Sequence, residues 1–489
     1  MKKLIAFVLA SLMMFSVLVG CAKFENNDIE SGSDIESGSD IKGDASMNNN
    51  PNSESLNSAT DKNESTNENN ASSKETTSSN KQPVSQKTVN TVSWEVLSKN
   101  YTSRAYSDCI SYRTPLTNTY NCITKDKELN VVYFGGSLTN GYGCTDINAY
   151  SWRALSGKWL KDNFPNANIK TIDTAIGESG TYLGVYRTVK DVIGSSPDLL
   201  FIEYAINDYY YDNSESNSAM RFETIVREVR KALPYCDIVV LLTTEKKLAS
   251  VSNSLELFPS AKGHEKIAKA YGLSVLNIGS AMIRNLASKH GANWWNNSSI
   301  WNSYFVDGVH PNNAGHEQYY LCVKEYLENE LKNTNYGKKD KVVRNIPYVQ
   351  SDSLLDGNRQ SIGGKDLERV FLKDSSANAS CSTDSFFHGT SQTPQNGSVY
   401  IGKGGYATFE ITGTELAIWA TIKSPTKYQY SVDGGSRITV TANSHAPSLV
   451  TTNLSSGTHK ITIYATECEI YIGSLFVRDQ TKQTPKGAK

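Results

Sequence analysis

The chain has 489 residues, a formal net charge of -1 and 38% hydrophobic residues. This length accommodates two or three domains. The near-zero charge gives no basis for binding nucleic acid or an anionic membrane surface, so we expect neither as an electrostatic partner. The low hydrophobic content comes mainly from one segment, because residues 25–90 carry almost no apolar side chains. The remainder of the chain can form ordinary cores.

The N-terminus has the pattern of an export signal. Two lysines precede an apolar run at residues 4–19, which is short for a membrane-spanning helix. The run ends in Leu18-Val19-Gly20-Cys21, which resembles the bacterial lipobox. The resemblance implies diacylation of Cys21, enough for stable anchoring, whereas a plain signal peptide is the alternative. We expect residues 1–21 to be a lipoprotein signal and the protein to be anchored on the outer face of the bacterial cell membrane.

Residues 22–90 are predicted to be a disordered tether. A hexamer beginning at Asp28 repeats at Asp34, and a tract of Asn, Ser, Thr, Glu and Lys follows. Such a segment buries too little apolar surface to offset its ordering entropy. As a flexible coil it would span roughly 45 Å. Residues 481–489 are likewise expected to be a disordered tail.

Residues 91–340 alternate between strand and helix patterns. Strands are predicted at 129–134, 169–174, 199–204, 238–243 and 274–278, and helices at 150–163, 182–193, 220–233, 263–271 and 314–331. This alternation predicts a parallel sheet covered by helices on both faces. Ligands of such sheets bind at the carboxyl ends of the strands.

A serine follows the first of these strands at once. Ser137 stands in Val132-Tyr-Phe-Gly-Gly-Ser-Leu-Thr-Asn-Gly-Tyr-Gly143. The two preceding glycines remove side-chain bulk, so that a substrate carbonyl can approach both the hydroxyl and the backbone N–H. The segment is not the GxSxG nucleophile elbow, because Thr139 stands where the second glycine would be.

Two further polar positions follow the next two strands. Gly180 ends the segment Ala175-Ile-Gly-Glu-Ser-Gly180, and Asn207 lies in Phe201-Ile-Glu-Tyr-Ala-Ile-Asn-Asp208. Both are expected at the same sheet edge as Ser137. A glycine N–H and an amide side chain are suitable donors for a developing oxyanion.

An acid and a histidine precede the final helix. They lie three residues apart in Asp307-Gly-Val-His310-Pro311. A serine hydroxyl needs an adjacent base, and that base needs a third group that fixes its tautomer. This offset allows the carboxylate to bind the imidazole Nδ1 and leave Nε2 for Ser137. The sequence therefore predicts a triad of Ser137, His310 and Asp307.

These segments together resemble the SGNH (GDSL-type) hydrolase family over roughly residues 128–332. The resemblance implies a flavodoxin-like three-layer α/β/α fold, with Ser137 as nucleophile and with oxyanion donors at the Ser137 backbone, Gly180 and Asn207. It also implies hydrolysis of acyl esters through an acyl-enzyme with no metal and no cofactor. Gly136, Ala175 and Ala205 depart from the family pattern. None of the three departures removes a proton-transfer or oxyanion group, and the Gly-Gly-Ser form looks like members that act on carbohydrate esters.

The pattern from residue 341 to 480 is β only and predicts a small sandwich or jelly-roll domain. Its strands are predicted at 399–401, 406–411, 416–420, 428–432, 438–441, 459–464 and 469–477, with a tight turn at 433–435. The domain resembles the jelly-roll module that accompanies some carbohydrate esterases. Two disulfides, Cys109–Cys122 and Cys381–Cys468, are candidates in an exported protein, with buried free thiols as the alternative.

The substrate prediction depends on aromatic residues near the expected site. Tyr182, Tyr209 and Trp301 are candidate contacts, because aromatic faces suit sugar rings, although ordinary packing is the alternative for each. We therefore expect removal of O-acetyl or similar small acyl groups from an extracellular polysaccharide, such as xylan or a cell-wall glycan. Lipase, lysophospholipase, thioesterase and acyltransferase activities are alternatives within the family. A glycan-binding surface lipoprotein without catalysis is the alternative of another class.

Overall fold

The computed structural model describes residues 105–332, 340–347, 359–363, 366–388, 391–421, 427–441, 447–451 and 453–478. The predicted signal, Cys21, the predicted tether at 22–90 and the predicted tail at 481–489 lie outside these residues. Among the residues described, no helix has the length and apolarity needed to cross a membrane.

A mixed sheet forms the centre of the first domain. Its strands are β1 (Ile110–Ser111), β2 (Glu128–Gly135), β3 (Asn168–Asp173), β4 (Leu199–Glu203), β5 (Asp237–Leu242) and β6 (Ser274–Asn277). Their order is β1-β6-β5-β4-β2-β3. The strands β2 to β6 are parallel, and only β1 pairs antiparallel at the edge. This order among the parallel strands is that of flavodoxin-like folds, so the predicted fold class is confirmed.

Helices cover both faces of the sheet. They are α1 (Thr117–Asn121), α2 (Ser137–Asn140), α3 (Ile147–Tyr150), α4 (Trp152–Asn163), α5 (Thr181–Arg187), α6 (Ala205–Tyr211), α7 (Glu215–Ala232), α8 (Ala249–Asn253), α9 (Pro259–Tyr271), α10 (Ile278–His290), α11 (Ser298–Asn302) and α12 (Asn313–Leu331). The helices α4, α10 and α12 pack together on one face, and α5, α7 and α9 pack together on the other. The arrangement has three layers.

The strands are apolar on both sides because each side faces a helical layer. In β2, Val131 and Tyr133 belong to the core under α4, α10 and α12, whereas Val132 and Phe134 belong to the core under α5, α7 and α9. All four are at most 1% exposed. A parallel sheet buried on both faces therefore gives the continuous apolar runs seen in the sequence.

The helix α10 was absent from the sequence prediction, which placed no helix between the strand at 274–278 and the helix at 314–331. Asn277 caps the helix by accepting a hydrogen bond from the Ser280 backbone N–H. Gly279 is required here, because a Cβ at that position would lie 2.7 Å from the backbone of Thr243 and Thr244. Gly279 thus allows α10 to pack closely against the end of β5.

The second domain is an antiparallel β-sandwich, as predicted. Its described elements are β7 (Arg359–Gly363), α13 (Asp366–Val370), β8 (Ala379–His388), β9 (Ser391–Ile401), β10 (Tyr406–Thr412), β11 (Glu415–Thr421), β12 (Lys427–Val432), β13 (Ile438–Thr441), β14 (Ser448–Thr451), β15 (Thr458–Tyr464) and β16 (Ile470–Arg478). One sheet has the order β10-β15-β12-β13, and the other has the order β14-β11-β16-β9-β8, with β7 paired to β16.

The sandwich packs directly on the α/β domain. Trp419 and Phe476 are buried in the same apolar cluster as the residues of α5 and α7. The ring of Phe476 lies 5.1 Å from that of Tyr186 on α5. The two domains therefore share one core on this side of the sheet.

The candidate disulfides are wrong in the described structure. Cys109 and Cys122 are free and buried, and Cys122 lies near Asp198 and Lys341. Cys109 lies among Arg284, Asp108 and Glu325. Cys381 is also a free thiol, so the second candidate pair is not formed either.

Candidate active site

The sheet topology brings three separated segments to one edge. Ser137 begins α2 directly after β2, Asn207 lies in α6 directly after β4, and His310 lies in the loop before α12. Because β2 and β4 are adjacent and parallel, their carboxyl ends meet at the same edge. The predicted nucleophile and the predicted amide donor are thereby neighbours.

The three predicted triad residues form a continuous hydrogen-bonded chain. The Ser137 Oγ lies 2.9 Å from the His310 Nε2, and the His310 Nδ1 lies 2.8 Å from the Asp307 Oδ2. A carboxylate only accepts, so Nδ1 carries the proton of neutral His310 and Nε2 is left to accept from the serine hydroxyl. This is the tautomer that a serine nucleophile requires.

The carboxylate of Asp307 is held ionised by its own turn. Its Oδ1 accepts the backbone N–H groups of Val309 and His310, each at 2.7 Å. Partial burial alone would raise the pKa of Asp307, but these bonds and the His310 side chain together lower it to about 2. The side chain is therefore an anion at any pH where a histidine is neutral.

The glycines before Ser137 are needed for close packing at the strand end. A Cβ at Gly135 would lie 2.3 Å from Thr139 Oγ1, and a Cβ at Gly136 would lie 2.3 Å from Asn207 Oδ1. Any larger residue at Gly136 would push the amide of Asn207 away from the serine. The Gly-Gly-Ser form is thus tied to the approach of Asn207.

Trp301 does not contact substrate, which corrects the sequence prediction. The side chain is 1% exposed and stacks on Phe305, with ring centroids 3.9 Å apart. Its indole N–H donates to the backbone carbonyl of Asp307 at 2.7 Å. Trp301 is therefore part of the core that holds the Asp307–His310 turn.

The predicted oxyanion donors Asn207 and Gly180 differ in their position relative to the pocket at Ser137. Asn207 lines the same pocket as Ser137 and His310, whereas Gly180 lies outside that lining. Gly180 directly precedes α5, and the Thr181 backbone N–H of that helix donates to Asp208 Oδ1 at 2.8 Å. The other carboxylate oxygen of Asp208 is 2.9 Å from His264 Nε2. Asp208, which follows Asn207, therefore links α6 to the start of α5 and to His264 of α9.

A pocket with a volume of about 560 Å³ opens next to the serine. It is lined by Ser137, Glu178, Tyr182, Ile206, Asn207, Tyr210, Tyr211, Val309 and His310. Tyr182 is thus at the pocket as predicted, with its ring 4.0 Å from that of Tyr211. Tyr209 lies outside the lining and packs against Phe258 and Tyr210. The described residues contain no group of three or more His, Cys, Asp or Glu side chains arranged to hold a metal ion.

Residues 133–318 match the model of the GDSL-like Lipase/Acylhydrolase family. This part of the chain is a GDSL-like acylhydrolase domain. The family resemblance and the prediction of a carboxylic ester hydrolase are therefore confirmed. No curated protein sequence matches the chain.

Two solved structures match the fold of the GDSL-like domain together with the sandwich. Both are of a two-domain esterase described as active on acetylated mannans, and one was co-crystallised with mannopentaose. Their TM-scores are 0.53 and 0.54, at 18% identity, and each comparison covers 77% of this chain and 99% of that chain. At this identity the likeness shows the fold of both domains.

A buried acid beneath the nucleophile of the GDSL-like domain was missed from the sequence. Glu203 ends β4 and is 1% exposed. It accepts hydrogen bonds from Thr139 Oγ1 at 3.0 Å and Thr243 Oγ1 at 2.9 Å. Burial raises the pKa of Glu203 to about 7, although these bonds and one from the Gly136 N–H act to lower it. A lone acid within the apolar run Leu199-Leu-Phe-Ile-Glu203 is the sequence feature that could have identified it.

Tyr142 was also missed as a residue of the site. Its ring centroid lies 4.6 Å from that of His310, and its side chain is 52% exposed. Its backbone N–H donates to the carbonyl of Ser137 at 3.0 Å. The tyrosine therefore stands next to the base.

Proposed function

We propose that this protein is an extracellular serine esterase that removes O-acetyl or similar small acyl groups from a polysaccharide. The observation that carries the proposal is the chain Ser137 Oγ–His310 Nε2–Asp307, with bonds of 2.9 and 2.8 Å. The family match supplies the acylhydrolase class. The carbohydrate substrate is the finer part of the proposal.

The proposed reaction has two acyl transfers. His310 Nε2 takes the Ser137 proton while Oγ bonds to the ester carbonyl carbon, and the oxyanion is bound by the Ser137 and Gly180 N–H groups and the Asn207 amide. Each such donor contributes about 3 kcal/mol in the transition state. The tetrahedral intermediate collapses, the bond to the alkoxy oxygen breaks, and His310 returns the proton to that oxygen. Water then repeats the sequence, which releases the carboxylic acid and restores Ser137.

Two observations support a carbohydrate ester. The pocket wall is rich in tyrosine, and tyrosine combines an apolar face with a polar tip. The two-domain esterase that shares the fold is described as active on acetylated mannans, so acetylated mannan joins xylan and cell-wall glycans among the substrates to be tested. The volume of about 560 Å³ accommodates a sugar with a small acyl group.

We further propose that the enzyme is held at the outer face of the cell membrane by lipid on Cys21. The lipobox-like sequence ending at Cys21 supports this location. Labelling with a radioactive fatty acid and cell fractionation test it, since Cys21→Ala should release the enzyme into the medium.

The direct test of the activity is acetate release across a panel of acetylated mannan, xylan and cell-wall glycans. Ser137→Ala should abolish release, whereas the matched control Ser250→Ala, at an exposed serine of α8, should retain the wild-type rate. Circular dichroism confirms that each variant is folded.

The same assays separate the alternatives. A wild-type preference for nitrophenyl esters of eight or more carbons over the acetate would indicate a lipase. Transfer to excess sugar would indicate an acyltransferase. Glycan binding without any ester hydrolysis would overturn the enzyme proposal in favour of a binding protein.

A further inference from the structure

The position of His310 fixes where the leaving alcohol lies. His310 Nε2 takes the serine proton and then gives it to the alkoxy oxygen, so that oxygen comes within hydrogen-bond distance of Nε2. In the proposed reaction the alkoxy oxygen belongs to a sugar. The sugar ring is bonded to this oxygen through one carbon–oxygen bond. We therefore expect the ring to lie beside the His310 imidazole, which is partly exposed.

Tyr142 is an exposed aromatic residue beside the His310 imidazole. Its ring stands edge-on to the imidazole, at 4.6 Å between centroids and 64° between planes. About half of this residue is accessible to solvent although its ring contacts that of His310. A single exposed tyrosine needs no functional explanation, but the ring of this one lies beside the imidazole that must deliver the proton.

The backbone around Tyr142 is held in place on both sides. Its N–H donates to the Ser137 carbonyl, and its carbonyl faces His316 Nε2 at 3.5 Å. Gly143, at φ 99°, lies so close to the His310 loop that a Cβ would be 2.2 Å from the Pro311 carbonyl oxygen. The exposed ring is thus carried on a rigid turn that joins the nucleophile segment to the base segment.

We propose that Tyr142 is a substrate-binding residue whose ring packs against the pyranose that carries the scissile ester. The inference rests on the proposed function, and it names the subsite for the leaving sugar. The C–H groups of a pyranose face are weakly positive and pack on the negative face of an aromatic ring. An ester with a small alkyl leaving group would not reach this ring.

The test compares kcat/KM for an acetylated oligosaccharide with that for ethyl acetate. Tyr142→Ala should lose roughly five- to tenfold on the oligosaccharide, mainly through KM, as expected for one aromatic contact, and remain within about twofold on ethyl acetate. Tyr142→Phe, which keeps the ring, should behave as wild type. The matched control is Tyr235→Ala, at a tyrosine 44% exposed that precedes β5 at the opposite edge of the sheet.

Two results would overturn the inference while the wild type still cleaves the glycan. Unchanged kcat/KM of Tyr142→Ala on the oligosaccharide would show that the ring contacts no sugar. An equal loss on both substrates would show that the ring supports His310 instead. If the wild type cleaves ethyl acetate but no acetylated glycan, the proposed function itself has failed, and the inference fails with it.

Discussion

The pH dependence of native stability measures how the buried carboxyl group of Glu203 affects this fold. Its pKa rises from 4.5 to about 7 because it is removed from water. The native state therefore holds the proton more tightly than the unfolded chain does, and native stability falls as the pH rises between these two values. At about 1.4 kcal/mol per unit of pKa, full ionisation removes about 3 kcal/mol.

Glu203→Gln keeps the shape of the side chain and cannot ionise. The amide oxygen still accepts one bond, and the hydroxyls of Thr139 and Thr243 can rotate toward the new NH₂ group, so the exchange itself should cost about 1 kcal/mol. At pH 5 the variant should be slightly less stable than the wild type. By pH 8 it should be the more stable protein, because the free energy of unfolding of the wild type has fallen by about 3 kcal/mol.

Thermal melts of both proteins from pH 5 to pH 8 measure this crossover. For a domain of this size, about 3 kcal/mol corresponds to a relative change in Tm of roughly 6–12 °C. The control Glu256→Gln, at an exposed glutamate, should show a constant offset. A constant offset for Glu203→Gln as well would refute the assignment of a raised pKa to this carboxyl.

Two further predictions concern other parts of the structure. Trp301→Phe should lower the free energy of unfolding by about 1–3 kcal/mol, because the hydrogen bond to Asp307 is lost and the ring is smaller. It should also lower kcat more than it raises KM. Urea unfolding and steady-state kinetics measure these two effects, and an unchanged kcat would show that the indole does not hold the turn. The pKa of His459 is raised by the Asp433 carboxylate and the Ser455 carbonyl. The stabilisation from this residue is therefore complete below about pH 6.5 and is lost as the pH rises through its native pKa. Melts should show this loss in the wild type and not in His459→Gln.

The sequence sufficed for the fold and for the triad geometry because both depend on short-range patterns. Strands buried on both faces appear as apolar runs, and β2 is an example. Ser137 directly follows that run, and Asp307 and His310 are three residues apart, so each group could be identified within one loop. Parallel topology then required the loops to meet at one edge.

Contacts that depend on tertiary packing could not be predicted from short-range sequence patterns. Trp301 and Tyr142 are both aromatic residues near a loop of the site, yet one is buried and the other is exposed. The difference arises because Phe305 packs on Trp301, whereas glycines flank Tyr142. Likewise, the bonds to Glu203 come from residues 64 and 40 positions away.

The β-sandwich is linked to the active site through its contact with α5. The helix α5 directly follows Gly180, a predicted oxyanion donor, and its Tyr186 packs against Phe476 of the sandwich. Phe476 and Trp419 are at most 1% exposed, and burial of each large apolar side chain contributes about 1.5–3 kcal/mol. Removal of the sandwich would expose this shared core and leave one side of α5 uncovered. The sandwich is therefore part of the scaffold that supports α5, whether or not it also binds glycan.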